Sequence, residues 1–290
     1  MTVLRSLSLA AVAATTLAGA PAWAGAFTFS TGDPDGKMAV ATRPASTGKI
    51  EIEAADDFIL GNATSLSSAS FTGLLSRGVM LSDIVSVTVE IYRVFPKDSQ
   101  SPPSGNVPSR VNSPSDVAFG SRSSSAAELA FSAAVLNASF TAANSVRNGI
   151  HKLPNQFTGG EGSVSGTEVR FDIDLSSAWL LPADHYFLVP QVEVAGTAGE
   201  FYWLSAPKPI TGGTGPFAPD LQSWVRSDEI APDWLRVGTD ITGQGPFNAA
   251  FSLDGETVPS VPEPQTWALL AAGLGVIGAT GRRLHGAKPR

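Results

Sequence analysis

Polar and apolar residues alternate along much of the chain. Val85, Val87, Val89 and Ile91 alternate with Ser86, Thr88, Glu90 and Tyr92, a period of two that predicts a half-buried strand. Ile50, Ile52 and Ala54 alternate with Glu51 and Glu53, and Val169, Phe171, Ile173 and Leu175 with Arg170, Asp172 and Asp174. Both read as antiparallel strands with one wet face. Further strands are expected over Phe27–Ser30, Met38–Thr42, Asp57–Leu60, Ser70–Leu75, Leu129–Leu136, Tyr186–Val194, Phe201–Ser205, Leu221–Val225 and Asn248–Leu253. Glycines and prolines punctuate them, and between the two chain ends no long stripe of period 3.6 competes. The expectation is all-β: an antiparallel, jelly-roll-like β-sandwich over residues 25–254.

Two stretches interrupt the pattern. Pro96–Ser115 holds Pro96, Pro102, Pro103, Pro108 and Pro114 among Ser, Asn and Gly, which predicts extended, solvated backbone. Lys208–Pro219 includes Thr211-Gly212-Gly213-Thr214-Gly215-Pro216 and reads as a second loop. Residues 255–261 are a short polar linker.

The ends follow other rules. Residues 1–24 hold one cation, Arg5, an apolar run from Leu7 to Leu17 and the small-residue site Ala22-Trp23-Ala24 before Gly25, with no acid before Asp33. That is the pattern of a secretory signal peptide cut after Ala24, which implies the Sec export machinery. At the other end Pro262-Glu263-Pro264 precedes an apolar stretch, residues 266–281, followed by Arg282 and Arg283. As a helix this stretch measures about 24 Å, slightly short of a hydrocarbon core of about 30 Å. Local thinning and snorkelling arginines would let it span as a single transmembrane helix. The arginine pair, with Lys288 and Arg290, places the C-terminus in the cytoplasm.

This arrangement over residues 262–290, a Pro-Glu-Pro tripeptide, a short apolar helix and a basic terminus, resembles the PEP-CTERM sorting signal of Gram-negative bacteria. The resemblance implies recognition of Pro262, Glu263 and Pro264 by a membrane-embedded exosortase, a transpeptidase-like cysteine enzyme, with Arg282 and Arg283 as the basic stop. It implies transient anchoring in the inner membrane, removal of the helix, and delivery to the cell surface, outer envelope or exterior. The family is associated with bacteria that make exopolysaccharide and biofilm matrix. The tail after the arginines, Leu284–Arg290, is longer than the pattern asks.

Composition narrows the chemistry of the region between. Of 290 residues, 19 are basic and 26 acidic. Removing Arg5, Glu263 and the four tail cations leaves residues 25–261 with 14 basic and 25 acidic side chains, a charge of −11. That balance argues against binding nucleic acid. With Cys 0 there is no disulfide, thiolate ligand or cysteine nucleophile. His151 and His185 are far apart and show no metal-ligand spacing, so no metal or cofactor is expected. Asp33-Pro34-Asp35-Gly36 lacks the later ligands of a calcium loop and reads as an Asx turn. Asp172 and Asp174 share a strand face that alternation assigns to solvent; Asp56 and Asp57 fit a metal or cap pair but read more simply as exposed loop acids, and His185 as a packed or capping residue. No catalytic residues are identified, and a non-enzymatic role is expected.

Three tryptophans, Trp203, Trp224 and Trp234, fall in one third of the body with Asp and Arg beside them. They are the candidate ligand-binding residues, since indole faces stack on sugar C–H faces, although core packing is the simpler use. The leading expectation is an exported envelope or matrix protein. The alternatives are a module that binds exopolysaccharide and a polysaccharide-active hydrolase, the latter requiring two converging carboxylates.

Overall fold

A computed structural model of the protein describes residues 24–150, 157–259, 270, 271, 273 and 274. Its strands are β1 (Ala26–Ser30), β2 (Met38–Ala41), β3 (Ile52–Leu60), β4 (Thr64–Ser76), β5 (Ile84–Arg93), β6 (Gly120–Ser123), β7 (Ala130–Ala142), β8 (Asn144–Val146), β9 (Val164–Leu181), β10 (Asp184–Val194), β11 (Phe201–Ala206), β12 (Trp224–Ser227), β13 (Leu235–Arg236), β14 (Asn248–Ala249) and β15 (Phe251–Thr257). A 3₁₀ turn at Leu81–Asp83 and a π turn at Val237–Ile241 are short interruptions. Residues 24–258 form one body.

Two sheets make up that body. In the larger, β4 is the central strand: its full length pairs with β9, which pairs in turn with β7, while its other edge is shared by β15 and β11. Beyond β15 lies β1, and beyond β11 lie β2 and β8. The smaller sheet has the order β13-β12-β3-β10-β5-β6. Among the described residues one pair, β2 with β8, is parallel. Alternation then sorts the side chains. Val169, Phe171 and Ile173 of β9 and Phe58, Leu60, Tyr186, Leu188, Val87 and Val89 of the smaller sheet meet in one apolar cluster. The result is a sandwich-like, nearly all-β fold.

Polar groups stitch the sheets together. Thr42, just past β2, donates its hydroxyl to the Pro190 carbonyl of β10 at 2.5 Å and accepts the Ala54 amide of β3 at 3.3 Å. Asp56 of β3 points into the core and accepts the Ala249 amide at 2.7 Å. Gly73 of β4 faces Trp203 across the strands, and a Cβ there would collide with the Phe201 ring and lie 2.6 Å from the Tyr202 carbonyl oxygen. The close approach is why a side chain is missing from a central strand.

Three expectations change. Asp56 and Asp57 are not exposed loop acids: β3 runs unbroken through them, and both are buried, on opposite faces of the strand. Glu53 does not sit on a wet face, because Arg226 and Tyr92 cover it. The proline-rich stretch is not solvated throughout either. It folds back over the outer face of the smaller sheet, with Ser113 and Ser115 fully buried.

Of the stretch expected to span the membrane, residues 266–281, only Leu270, Ala271, Gly273 and Leu274 are described, and they are helical and exposed. Among the described residues no helix is long and apolar enough to cross a membrane.

Candidate functional site

The smaller sheet turns a second face outward, and it is not an ordinary wet surface. Ala55, Tyr92, Phe187, Val189, Trp224 and Trp234 form a second apolar cluster there. Beside it Arg226 of β12 pairs through Nε with Glu53 Oε2, donates from Nη2 to the Tyr92 hydroxyl at 2.8 Å, and donates from Nη1 to the Asp116 carbonyl at 2.9 Å. Its guanidinium lies 4.4 Å from the Trp234 ring centre. One planar cation thus joins three strands and the loop.

The Tyr92 hydroxyl contacts two carboxyls, Glu53 Oε1 at 2.6 Å and Glu90 Oε2 at 3.1 Å. A phenol has one proton to share between the two carboxyls, and the Arg226 guanidinium sits on the other oxygen of Glu53. Burial and then the Glu53 charge push the Glu90 carboxyl up to about 7. Burial and the same charge raise Tyr92. Two carboxyls side by side, one of them raised, meet one requirement of glycoside hydrolysis. Glu53, however, has both oxygens engaged and is 3% exposed, so the pair holds a proton between strands rather than offering a base to a substrate.

The loop over this face is pinned by its own ion pair. Arg110 bonds Asp116, which also accepts the Gln100 and Ser101 amides at 2.9 and 2.7 Å. Burial raises the Asp116 carboxyl less than Arg110 and these amides lower it. The prolines suit backbone with few ladder bonds; Arg110 and Asp116 supply the closure that proline counting does not reveal.

The candidate tryptophans are all interior, at 1%, 1% and 0% exposure for Trp203, Trp224 and Trp234. Trp203 donates to the Ala250 carbonyl at 2.9 Å and Trp234 to the Ser115 carbonyl at 3.2 Å. The Trp224 Nε1–H is buried without an acceptor. None of the three presents an open ring face. His185 stacks on Phe187 and approaches Asp57 Oδ2 at 2.7 Å. Asp35 forms the expected Asx turn, accepting the Lys37 amide at 3.0 Å. Asp172 and Asp174 are exposed on β9. His151 lies outside the described residues. Among those described, no cluster of three or more His, Asp or Glu could hold a metal ion.

The body ends where the terminal labels begin. Ala26 pairs with Glu256, and Gly25 is bonded twice to Thr257, its carbonyl accepting the Thr257 amide at 2.8 Å while its amide donates to the side-chain Oγ1 at 2.9 Å. Directly after this pairing, residues 260–283 match the family model of the PEP-CTERM protein-sorting motif. The chain carries a PEP-CTERM sorting signal. The match includes Pro262, Glu263, Pro264, Arg282 and Arg283, all outside the described residues, as is Ala22 of the expected signal-peptide site. A PEP-CTERM signal implies exosortase processing, export and membrane-anchored transit towards the surface. No curated protein and no solved structure matches the chain.

Proposed function

We propose that this PEP-CTERM protein is a non-enzymatic component of the cell envelope or extracellular matrix. Its signal peptide, residues 1–24, is removed after Ala24 during Sec-dependent export. A single helix over 266–281 then anchors it transiently in the inner membrane, with Arg282 and Arg283 on the cytoplasmic side. Exosortase acts at Pro262-Glu263-Pro264, and the jelly-roll-like body is released or re-anchored. The observation that carries this reading is the motif at 260–283, lying immediately beyond the last strand of the body. The β1–β15 pairing supports it as well, since both cuts fall outside these strands and cost the sheet no hydrogen bond.

Co-expression with an exosortase should shorten the chain near residue 262, read as a mass change, and replacing Pro262 and Glu263 with alanine should abolish the change. A product that retains its C-terminal helix under these conditions would overturn the proposal.

A further inference from the structure

The loop that covers the outer face leaves a cleft beside it. A cavity of about 420 Å³ is lined by Asn112 from the loop, by Lys208, Asp220 and Gln222 from the connection between β11 and β12, by Trp224 and by Arg236. A second cavity of about 390 Å³ shares Lys208 with it. Each falls in the size range of small-molecule sites, roughly 300–1,000 Å³.

The charges of the cleft are already cancelled. Arg236 is gripped by Asp240 through Nε at 2.9 Å and Nη2 at 2.6 Å. Lys208 lies 2.9 Å from Asp220 Oδ2 and also donates to the Asp220 and Leu221 carbonyls. In the adjoining cavity Lys37 pairs with Asp35 at 3.2 Å. An anion entering here meets no unpaired cation, and a cation no unpaired carboxylate. What the cleft still offers is neutral hydrogen bonding. Asn112 contributes an amide, and Gln222 accepts the Thr239 hydroxyl at 2.7 Å through Oε1, keeping its NH₂ group to donate.

Trp224 sharpens the argument. It lines the cleft, it is 1% exposed, and its Nε1–H has no acceptor in the protein, unlike the indoles of Trp203 and Trp234. A buried donor left unpaired loses its hydration without compensation, and an oxygen arriving with a ligand restores the missing bond. Hydroxyl groups, donors and acceptors at once, fit a wall of amides and an indole N–H better than phosphate or carboxylate does.

We propose that this cleft binds a neutral, hydroxyl-rich ligand, a saccharide, with the Trp224 indole N–H donating to one of its oxygens. The indole acts as a donor at the edge of the cleft rather than as a stacking platform. Lys208, common to both cavities, sets the boundary between two subsites, so a disaccharide or longer chain should bind better than a single sugar. The proposal concerns the body and is independent of the sorting signal.

The test uses the full chain, purified in a detergent without a sugar headgroup and labelled with ¹⁵N on its indoles. Cello-, xylo-, manno- and galacto-oligosaccharides of two to six units are titrated in, with inorganic phosphate and oligogalacturonate as anionic probes. At least one neutral series should shift a single indole resonance, the one missing in Trp224→Phe. That variant, which keeps an aromatic ring but no donor, should bind at least tenfold more weakly while still unfolding in one cooperative thermal transition. Gln222→Ala, at the cleft wall, should also weaken binding. The proposal is overturned if no neutral oligosaccharide moves that resonance, if Trp224→Phe binds as tightly as the parent, or if the anionic probes bind in preference. Exosortase cleavage should be the same in every variant, so a failure here leaves the sorting reading intact.

Discussion

Glu90→Gln isolates the energetics of the proton on the outer face. The parent carboxyl titrates at about 7 in the folded protein, against an ordinary value of 4.5. The folded state therefore keeps a proton that the unfolded chain has released between these two values, and stability falls as pH rises through that window. Each tenfold change in proton affinity is worth about 1.4 kcal/mol, so ionising Glu90 beside Glu53 costs the folded state at most about 3 kcal/mol once pH exceeds 7. A glutamine has the shape of the protonated acid and no charge to gain, and its amide keeps a hydrogen-bonding group against the Tyr92 hydroxyl. At about pH 4 parent and variant should unfold together. At about pH 8 the variant should be more stable by up to about 3 kcal/mol, or about 6–12 °C in Tm for a domain of this size. Urea and thermal unfolding of both proteins across this range measure the difference directly. A difference that does not vary with pH, or a variant less stable than the parent at pH 8, would show that Glu90 does not carry the proton.

Substitutions at three other positions probe the packing within and between the sheets. Burial, and next the charge of Asp57, push Asp56 well above the usual carboxylate range, so its charged form is the costly one in the folded protein. Asp56→Asn should be at least as stable as the parent above neutral pH, whereas Asp56→Ala, which strands the Ala249 amide, should lose about 1–3 kcal/mol in urea unfolding. Thr42→Val keeps the shape but leaves the Pro190 carbonyl without its 2.5 Å partner, and should also cost about 1–3 kcal/mol by thermal unfolding. Gly73→Ala forces a methyl group into the Phe201 ring and should lower stability by about 1–3 kcal/mol, with loss of near-ultraviolet dichroism if the aromatic packing around Phe171 and Phe201 shifts.

Strands announced themselves wherever one face is apolar and the other wet. Val169, Phe171, Ile173 and Leu175 alternate with exposed Arg170, Asp172 and Asp174, and β9 is where the period places it. The period fails in β3 because both faces are buried: Glu53, Asp56 and Asp57 are polar yet interior, and a reading that equates charge with solvent cuts the strand in two. What buries them comes from far along the chain, Arg226 for Glu53, His185 for Asp57 and the Ala249 amide for Asp56. No local pattern encodes such partners. The same holds for the proline-rich loop, whose prolines rule out a ladder without revealing that Arg110 and Asp116 close it over a sheet. Trp224 was legible as a residue of interest, but its distinguishing feature, an indole without an acceptor, depends on the positions of every neighbouring carbonyl. The sorting signal lies at the opposite extreme: its information is in composition and order, and the chain can be read for it directly.

The pairing of β1 with β15 fixes when the body can form. The first strand finds its partner only after nearly the whole body has been synthesised and exported, a contact of very long sequence separation that folds late. The tripeptide follows close behind: from Thr257 to Pro262 the extended chain reaches at most about 17 Å. An enzyme acting at Pro262 after folding therefore works almost against the surface of a finished sheet, and one acting earlier works on a chain whose last strand is still free. Mutations in β1 or β15, remote from the tripeptide in function, are then expected to change processing efficiency by changing how much of the sheet is closed when the enzyme acts.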